Sequence, residues 1–215
     1  MLTRQGVSKT PSPFRTPRPS TFFASVIYAW NGLIHTVVHQ RNMRMHIISA
    51  VLVGLVGAGI PLGLAEKVTL IFCVLLVLFA EMLNSALEQL VDLAIQQFDE
   101  KARLTKDAAA GGVLVLAIGT TVIFAAVLVH NADVVLQNLE AVQRQVMVGT
   151  PLTICAGVLM HEKQRPWPVD VLVFAAALGL LAITISWSNS LVFSSMTFGM
   201  LVVSAAAARA RHLGK

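Results

Sequence analysis

Six apolar runs, near residues 47–65, 68–90, 111–130, 146–160, 169–187 and 191–208, set the terms on which this chain can fold. A helix of about 20 apolar residues, at about 1.5 Å rise each, covers the hydrocarbon of a bilayer. Backbone groups in lipid have no water to bond, so such runs cross as helices that satisfy themselves. Only 13% of the residues are Asp, Glu, Lys or Arg, about half the share usual in soluble domains. Mean hydropathy is +0.74. The expectation is an all-α integral membrane protein with an N-terminal surface helix and six transmembrane helices. The fourth run is the weakest: it is short and contains Pro151, and it reads as a tilted span or a re-entrant piece.

Charge places the ends. With the amino terminus in the cytoplasm and all six runs crossing, Lys67 and Arg144 alone among the Lys and Arg residues fall outside. This follows the positive-inside rule and predicts a multi-pass protein of the cell membrane with both termini cytoplasmic. The formal charge of +5 then reports contact with anionic lipid headgroups rather than with nucleic acid. Cys73 and Cys155 both lie in apolar runs, and neither has a partner at metal-ligand spacing, so no disulfide framework or thiolate zinc site follows.

Residues 1–20 hold Arg4, Lys9, Arg15, Arg18 and four prolines but no acid, and read as a flexible basic arm. No small-residue cleavage pattern follows it, which argues against a signal peptide. Residues 22–40 alternate apolar and polar positions at helical spacing, predicting an amphipathic helix in the headgroup plane, with Tyr28 and Trp30 suited to that boundary. Arg41, Arg44 and His46 are expected to close the surface section before the first span.

The second run carries the chemistry. Asn84, Ser85, Glu88 and Asp92 follow Glu81 by three, four, seven and eleven residues, which gathers all five on one helix face. A carboxylate at membrane depth costs about 2.5–3.5 kcal/mol on insertion scales, so such groups need a partner or a task. Glu81 lies deepest, while Glu88 and Asp92 approach the cytoplasmic surface. A reaction joining a lipid group to a soluble anion needs a base near the lipid and acids near water to hold a cation. Interhelical hydrogen bonding or a cation path are the structural and transport alternatives for the same face. Downstream, Lys101, Arg103 and Lys106 bring positive charge, Asp107 could orient Lys106, and the small residues at 108–112 permit close approach.

The run EMLNSALEQLVD at 81–92, followed by KDAAAG at 106–111, resembles the signature of the small prokaryotic lipid kinases, the diacylglycerol kinase and undecaprenol kinase family. AWNGL at 29–33 and HQRNMRMH at 39–46 add a third match, in the form of the undecaprenol kinase branch. The resemblance covers about residues 20–130. It implies a homotrimer of subunits with a surface helix and three membrane helices, transferring the ATP γ-phosphoryl group to a lipid hydroxyl. It further implies that Glu81 is the catalytic base and that Glu88 binds magnesium. Tyr28, Gln97, Phe98, Asp99, Lys106 and Asp107 would contact ATP, and Trp30, Asn42, Arg44, Asn84 and Asp92 would line the site. Gln40 stands where the family places a second metal-binding glutamate. It keeps a carbonyl acceptor but loses the charge, so weakened magnesium recruitment is expected.

Three parts follow: the arm at 1–20, a lipid-kinase-like domain at 21–131, and an extension at 132–215 with about three further spans. Within the extension, GTPL at 149–152 faintly resembles the entry to a type-2 phosphatidic acid phosphatase domain, but the catalytic Pro-Ser-Gly-His run is absent. His130, His161 and His212 read as solvated residues near helix ends. The extension is therefore expected to serve as scaffold without chemistry of its own. Against the lipid kinase stand a kinase–phosphatase fusion remnant and a non-enzymatic scaffold or ion-conducting protein.

Overall fold

The computed structural model describes residues 21–163 and 165–213, so the basic arm lies outside the described residues. Every regular element among the described residues is a helix: α1 (Phe22–His39), α2 (Arg41–Gly59), α3 (Leu64–Ala94), α4 (Glu100–His130), α5 (Ala132–Gln137), α6 (Leu139–Met160), α7 (Trp167–Ser186) and α8 (Leu191–Leu213). The protein is thus an all-α membrane protein. Five helices, α2, α3, α4, α7 and α8, are long and apolar enough to cross a bilayer by length and composition.

That count is one fewer than the six expected. The fourth run lies in α6, whose 22 residues give ample length. Its first half, however, carries Glu140, Gln143, Arg144 and Gln145, and the helix fails on composition. Pro151 sits inside α6 without ending it.

The chain divides into two units, residues 1–32 and 33–215, with the boundary inside α1. In the first, the Thr21 hydroxyl accepts from Ala24 N at 3.2 Å and opens α1. Phe22, Phe23, Ile27, Tyr28 and Trp30 are all exposed. The helix expected over 22–40 is present.

In the second unit, α2 begins immediately after an extended Gln40, so Arg41, Arg44 and His46 belong to the first long helix rather than to a surface section before it. The reason is periodicity: Met43 and Ile47 are four residues apart on the face that α2 buries, and their helix carries the intervening basic residues with it. One core cluster joins Val51 and Leu55 of α2 to Leu152 and Leu159 of α6, Ala177 and Leu181 of α7, and Leu201 and Ala208 of α8. Small residues let these backbones close up: a Cβ on Gly57 would come within 2.6 Å of the Phe193 ring, and one on Gly149 within 2.5 Å of Leu55. The α2 helix is therefore packed into a bundle with the extension.

The α3 and α4 helices form an antiparallel hairpin. Its turn is closed by Asp99, whose carboxylate accepts from Lys101 N at 2.8 Å and Ala102 N at 3.0 Å, capping α4. Val113 is the one buried residue of α4 among those described. Most of its other apolar side chains are exposed, while Phe124, Val127 and Leu128 pack against the cluster of Ala58, Ile60, Leu62, Leu70 and Phe193.

Candidate functional site

The polar face of α3 is arranged by depth. Glu81, Asn84 and Ser85 are buried, Glu88 is half-buried and Asp92 is exposed. Glu81 is 1% exposed, and neither of its carboxylate oxygens has a hydrogen-bond partner. Buried polar atoms are nearly always paired, so a carboxyl group held in this way is unusual and has unused capacity to accept a proton.

One turn nearer the helix end, Asn84 Nδ2 donates to Glu88 Oε1 at 3.1 Å. Gln40 Nε2 donates to the other oxygen of Glu88 at 3.5 Å, across 48 residues of sequence. The residue at the start of α2 and the second glutamate of α3 are thereby brought together. Magnesium is usually held through one or two carboxylates, with phosphates and water completing its shell. Glu88 supplies one carboxylate, and Asn84 Oδ1 is a buried carbonyl oxygen without a partner. These donors fit a metal delivered on a nucleotide rather than a closed protein cage. No group of three or more His, Cys, Asp or Glu residues able to hold a metal is found among the described residues.

Beyond Glu88, Lys106 of α4 forms an ion pair with Asp92 of α3. Asp107 pairs with Arg103 at 2.7 Å instead of orienting Lys106, which corrects the expected Lys106–Asp107 unit. Neighbouring residues on a helix diverge, whereas residues four apart face each other. Asp99 is spent on capping, with Gln97 and Phe98 exposed beside it in the turn. Asn42 is exposed near the start of α2. Arg44 instead donates to Val38 O at 2.8 Å and pairs with Glu162 of the extension. Tyr28 and Trp30 belong to the other unit, where both are exposed.

Sequence reasoning missed a second polar cluster. Asp170 of α7 is buried, with His212 Nε2 at 2.9 Å, Arg165 at 3.8 Å and Arg211 at 4.0 Å. Thus His212 is partly buried and hydrogen-bonded to Asp170, not the solvated residue expected. Arg165 and Arg211 also donate to Val158 O and Leu159 O, near the end of α6. The available signal was Asp170 itself, a lone acid at the start of an apolar run.

Known proteins align with this region of the chain. Residues 27–128 match the family model of the prokaryotic diacylglycerol kinases. A diacylglycerol kinase of Synechocystis is 37% identical over 97 residues, 45% of this chain and 55% of that protein. An undecaprenol kinase of Bacillus subtilis is 32% identical over 102 residues, 47% of this chain and 83% of that protein. A diacylglycerol kinase of Escherichia coli K12 is 29% identical over 91 residues, 42% of this chain and 75% of that protein. The chain spans just over half the length of the Synechocystis relative. No solved structure matches it. The chain belongs to the prokaryotic diacylglycerol kinase family.

Proposed function

We propose that this protein is an ATP-dependent lipid kinase that transfers the γ-phosphoryl group of ATP to a membrane lipid hydroxyl, undecaprenol by preference and diacylglycerol otherwise. The observation that carries the reading is the contrast along one face of α3: Glu81 is buried with an unpartnered carboxylate, while Glu88, two turns on, is half-buried and joined to Gln40. A deep base and a shallow metal-binding acid are what a reaction between a lipid alcohol and a nucleotide requires.

In this reading Glu81 accepts the proton of the lipid hydroxyl as its oxygen bonds to the γ-phosphorus. The bond from that phosphorus to the β–γ bridging oxygen breaks, ADP leaves, and the proton stays on Glu81. Glu88, with Asn84 and Gln40, would hold magnesium, which when bound offsets charge on the β- and γ-phosphates. Lys106 exchanges Asp92 for phosphate oxygens. Asn42, Arg44 and the turn at Gln97, Phe98 and Asp99 would border the nucleotide, with Asp107 beside them. Both termini would be cytoplasmic where α6 crosses as a sixth span, anionic headgroups would meet the basic segments, and three copies would assemble.

The named relatives act on different lipids by their names, and the undecaprenol preference rests on the HQRNMRMH pattern. The test is to incubate purified protein with magnesium and labelled ATP, separately with undecaprenol and with diacylglycerol, and to follow label into the lipid phase. Faster labelling of undecaprenol is expected. Failure with both lipids, while a known family kinase is active in the same assay, overturns the reading.

A further inference from the structure

The bend between α1 and α2 is gripped by the extension. Gln40 is extended, with φ −101° and ψ 118°, and interrupts what is otherwise helix from Phe22 to Gly59. On one side of it lie Ile34 and Val37, on the other Met43 and Ile47, and all four share a buried cluster with Met160, the last residue of α6. The end of α6 thus packs against both arms of the bend.

Polar contacts tie the same place. The last carbonyls of a helix have no partner within it. Val38 O, in the final turn of α1, accepts from Arg44 Nη1 at 2.8 Å, so a side chain from the first turn of α2 caps α1 across the break. The other arm of that guanidinium, Nη2, donates to Glu162, two residues past the end of α6. The peptide leading to Glu162 is itself anchored, because Arg165 donates to Val158 O at 2.8 Å and Arg211 to Leu159 O at 2.5 Å.

Charge decides why Glu162 matters. The side chain of Arg44 is only 12% exposed, and Arg211 feels the charges of both Arg44 and Arg165, so three guanidinium groups gather at this end of the bundle. Asp170 faces Arg165 and Arg211, and Glu162 is the carboxylate that meets Arg44. Without it, Arg44 becomes a largely buried cation beside two others, and repulsion drives it from Val38 O. The bend in turn presents Gln40 to Glu88. At 3.5 Å that hydrogen bond is at the long limit and too weak to fix the backbone that carries it.

We infer that Glu162 is a positioning residue for the metal end of the kinase site: by holding Arg44 across the α1–α2 break, it sets where Gln40 stands against Glu88. The inference rests on the lipid kinase reading and gives the extension a share in that site. Glu162 acts through Arg44 and Gln40, not on the reacting groups.

The test uses the full chain in nanodiscs with Glu162→Gln and Glu162→Asp. In Glu162→Gln, half-saturating magnesium for undecaprenol phosphorylation is expected to rise about fivefold, with the KM for undecaprenol unchanged. That factor corresponds to about 1 kcal/mol, the upper end for a pair with one exposed partner. Glu162→Asp keeps the charge and should recover most of the loss. Independently of turnover, hydrogen exchange of the amides at 40–44 should quicken in Glu162→Gln and stay near the unaltered rate in Glu162→Asp. An unchanged magnesium dependence, or equal rises for magnesium and undecaprenol, overturns the positioning role and leaves the kinase standing. Quickened exchange in a protein that phosphorylates no lipid alcohol overturns the kinase reading and supports only the hold of Glu162 on the bend. Unchanged exchange in such a protein overturns both.

Discussion

The two ends of α2 meet very different company. At its start, Gln40 faces an α3 surface where polar atoms lie buried without partners, Glu81 foremost. Along its length and toward its end it packs against α6 and α8, whose buried polar groups are largely tied to helix ends and to each other. Gln145 donates to Thr184 O at 2.8 Å, Ser194 to Ser190 O at 3.1 Å, and Asp170 is met by His212. Both regions hold polar groups inside apolar helices. In the extension most of these side chains make at least one hydrogen bond and so build structure, although Gln145 Oε1, Asp170 Oδ1, Ser190 Oγ and Arg211 Nη1 stay unpartnered; on α3, Glu81 has no partner on either oxygen and leaves capacity for something that arrives.

The sharpest way to break this contrast is Glu81→Gln. Loss of a positioned general base should lower kcat about 10²–10⁴-fold in the lipid-labelling assay, with thermal stability retained or raised because no partner is stranded. A stability loss matching that of an extension variant would remove the distinction. The counterpart is Asp170→Ala, which removes the carboxylate that Arg165, Arg211 and His212 meet and leaves the partly buried Arg211 charge without a counter-ion. Breaking one side of a buried pair costs about 3–5 kcal/mol. A large drop in thermal midpoint is expected, with the KM for magnesium-ATP unchanged in the folded fraction.

Gln40→Glu sharpens the comparison at the kinase end. A second carboxylate beside Glu88 should raise activity several-fold at limiting magnesium and little at saturation, read from a magnesium titration. No change on this substitution, with Glu88→Gln also silent, would count against metal binding at this contact. The smallest effect concerns His35, whose ring lies 4.1 Å from that of His39. Partial burial, then the neighbouring His39, lowers its pKa below the ordinary imidazole value. Protonation thus disfavours the folded state, so stability should be full above about pH 6.5 and decline slightly as pH falls through and below that value. His35→Asn should flatten this part of a melting-temperature profile.

Much of the kinase half was legible. The period of Glu81, Asn84, Ser85, Glu88 and Asp92 specified one face, and α3 presents it graded by burial. The helix over 22–40 followed from alternating apolar clusters. Helix starts were less legible: the charges at 41–46 suggested a surface, whereas packing of Met43 and Ile47 draws them into α2. Pairings were legible only where spacing settles them. Arg103 and Asp107 are four apart on a helix, but Asp92 meets Lys106 across a turn whose closure depends on the Asp99 cap. The Asp170 cluster joins groups 42 residues apart, a juxtaposition no local pattern encodes.

Gly57 and Phe193 have a consequence for how such a chain can be shortened. Cutting the protein after α4 would uncover a notch shaped for an aromatic ring, and lipid tails, which are flexible and poorly ordered, fill a rigid notch badly. The family-matching segment of this chain has thus become a tenant of its own tail, and a truncated form would need its first long helix resurfaced with larger side chains before it could stand alone.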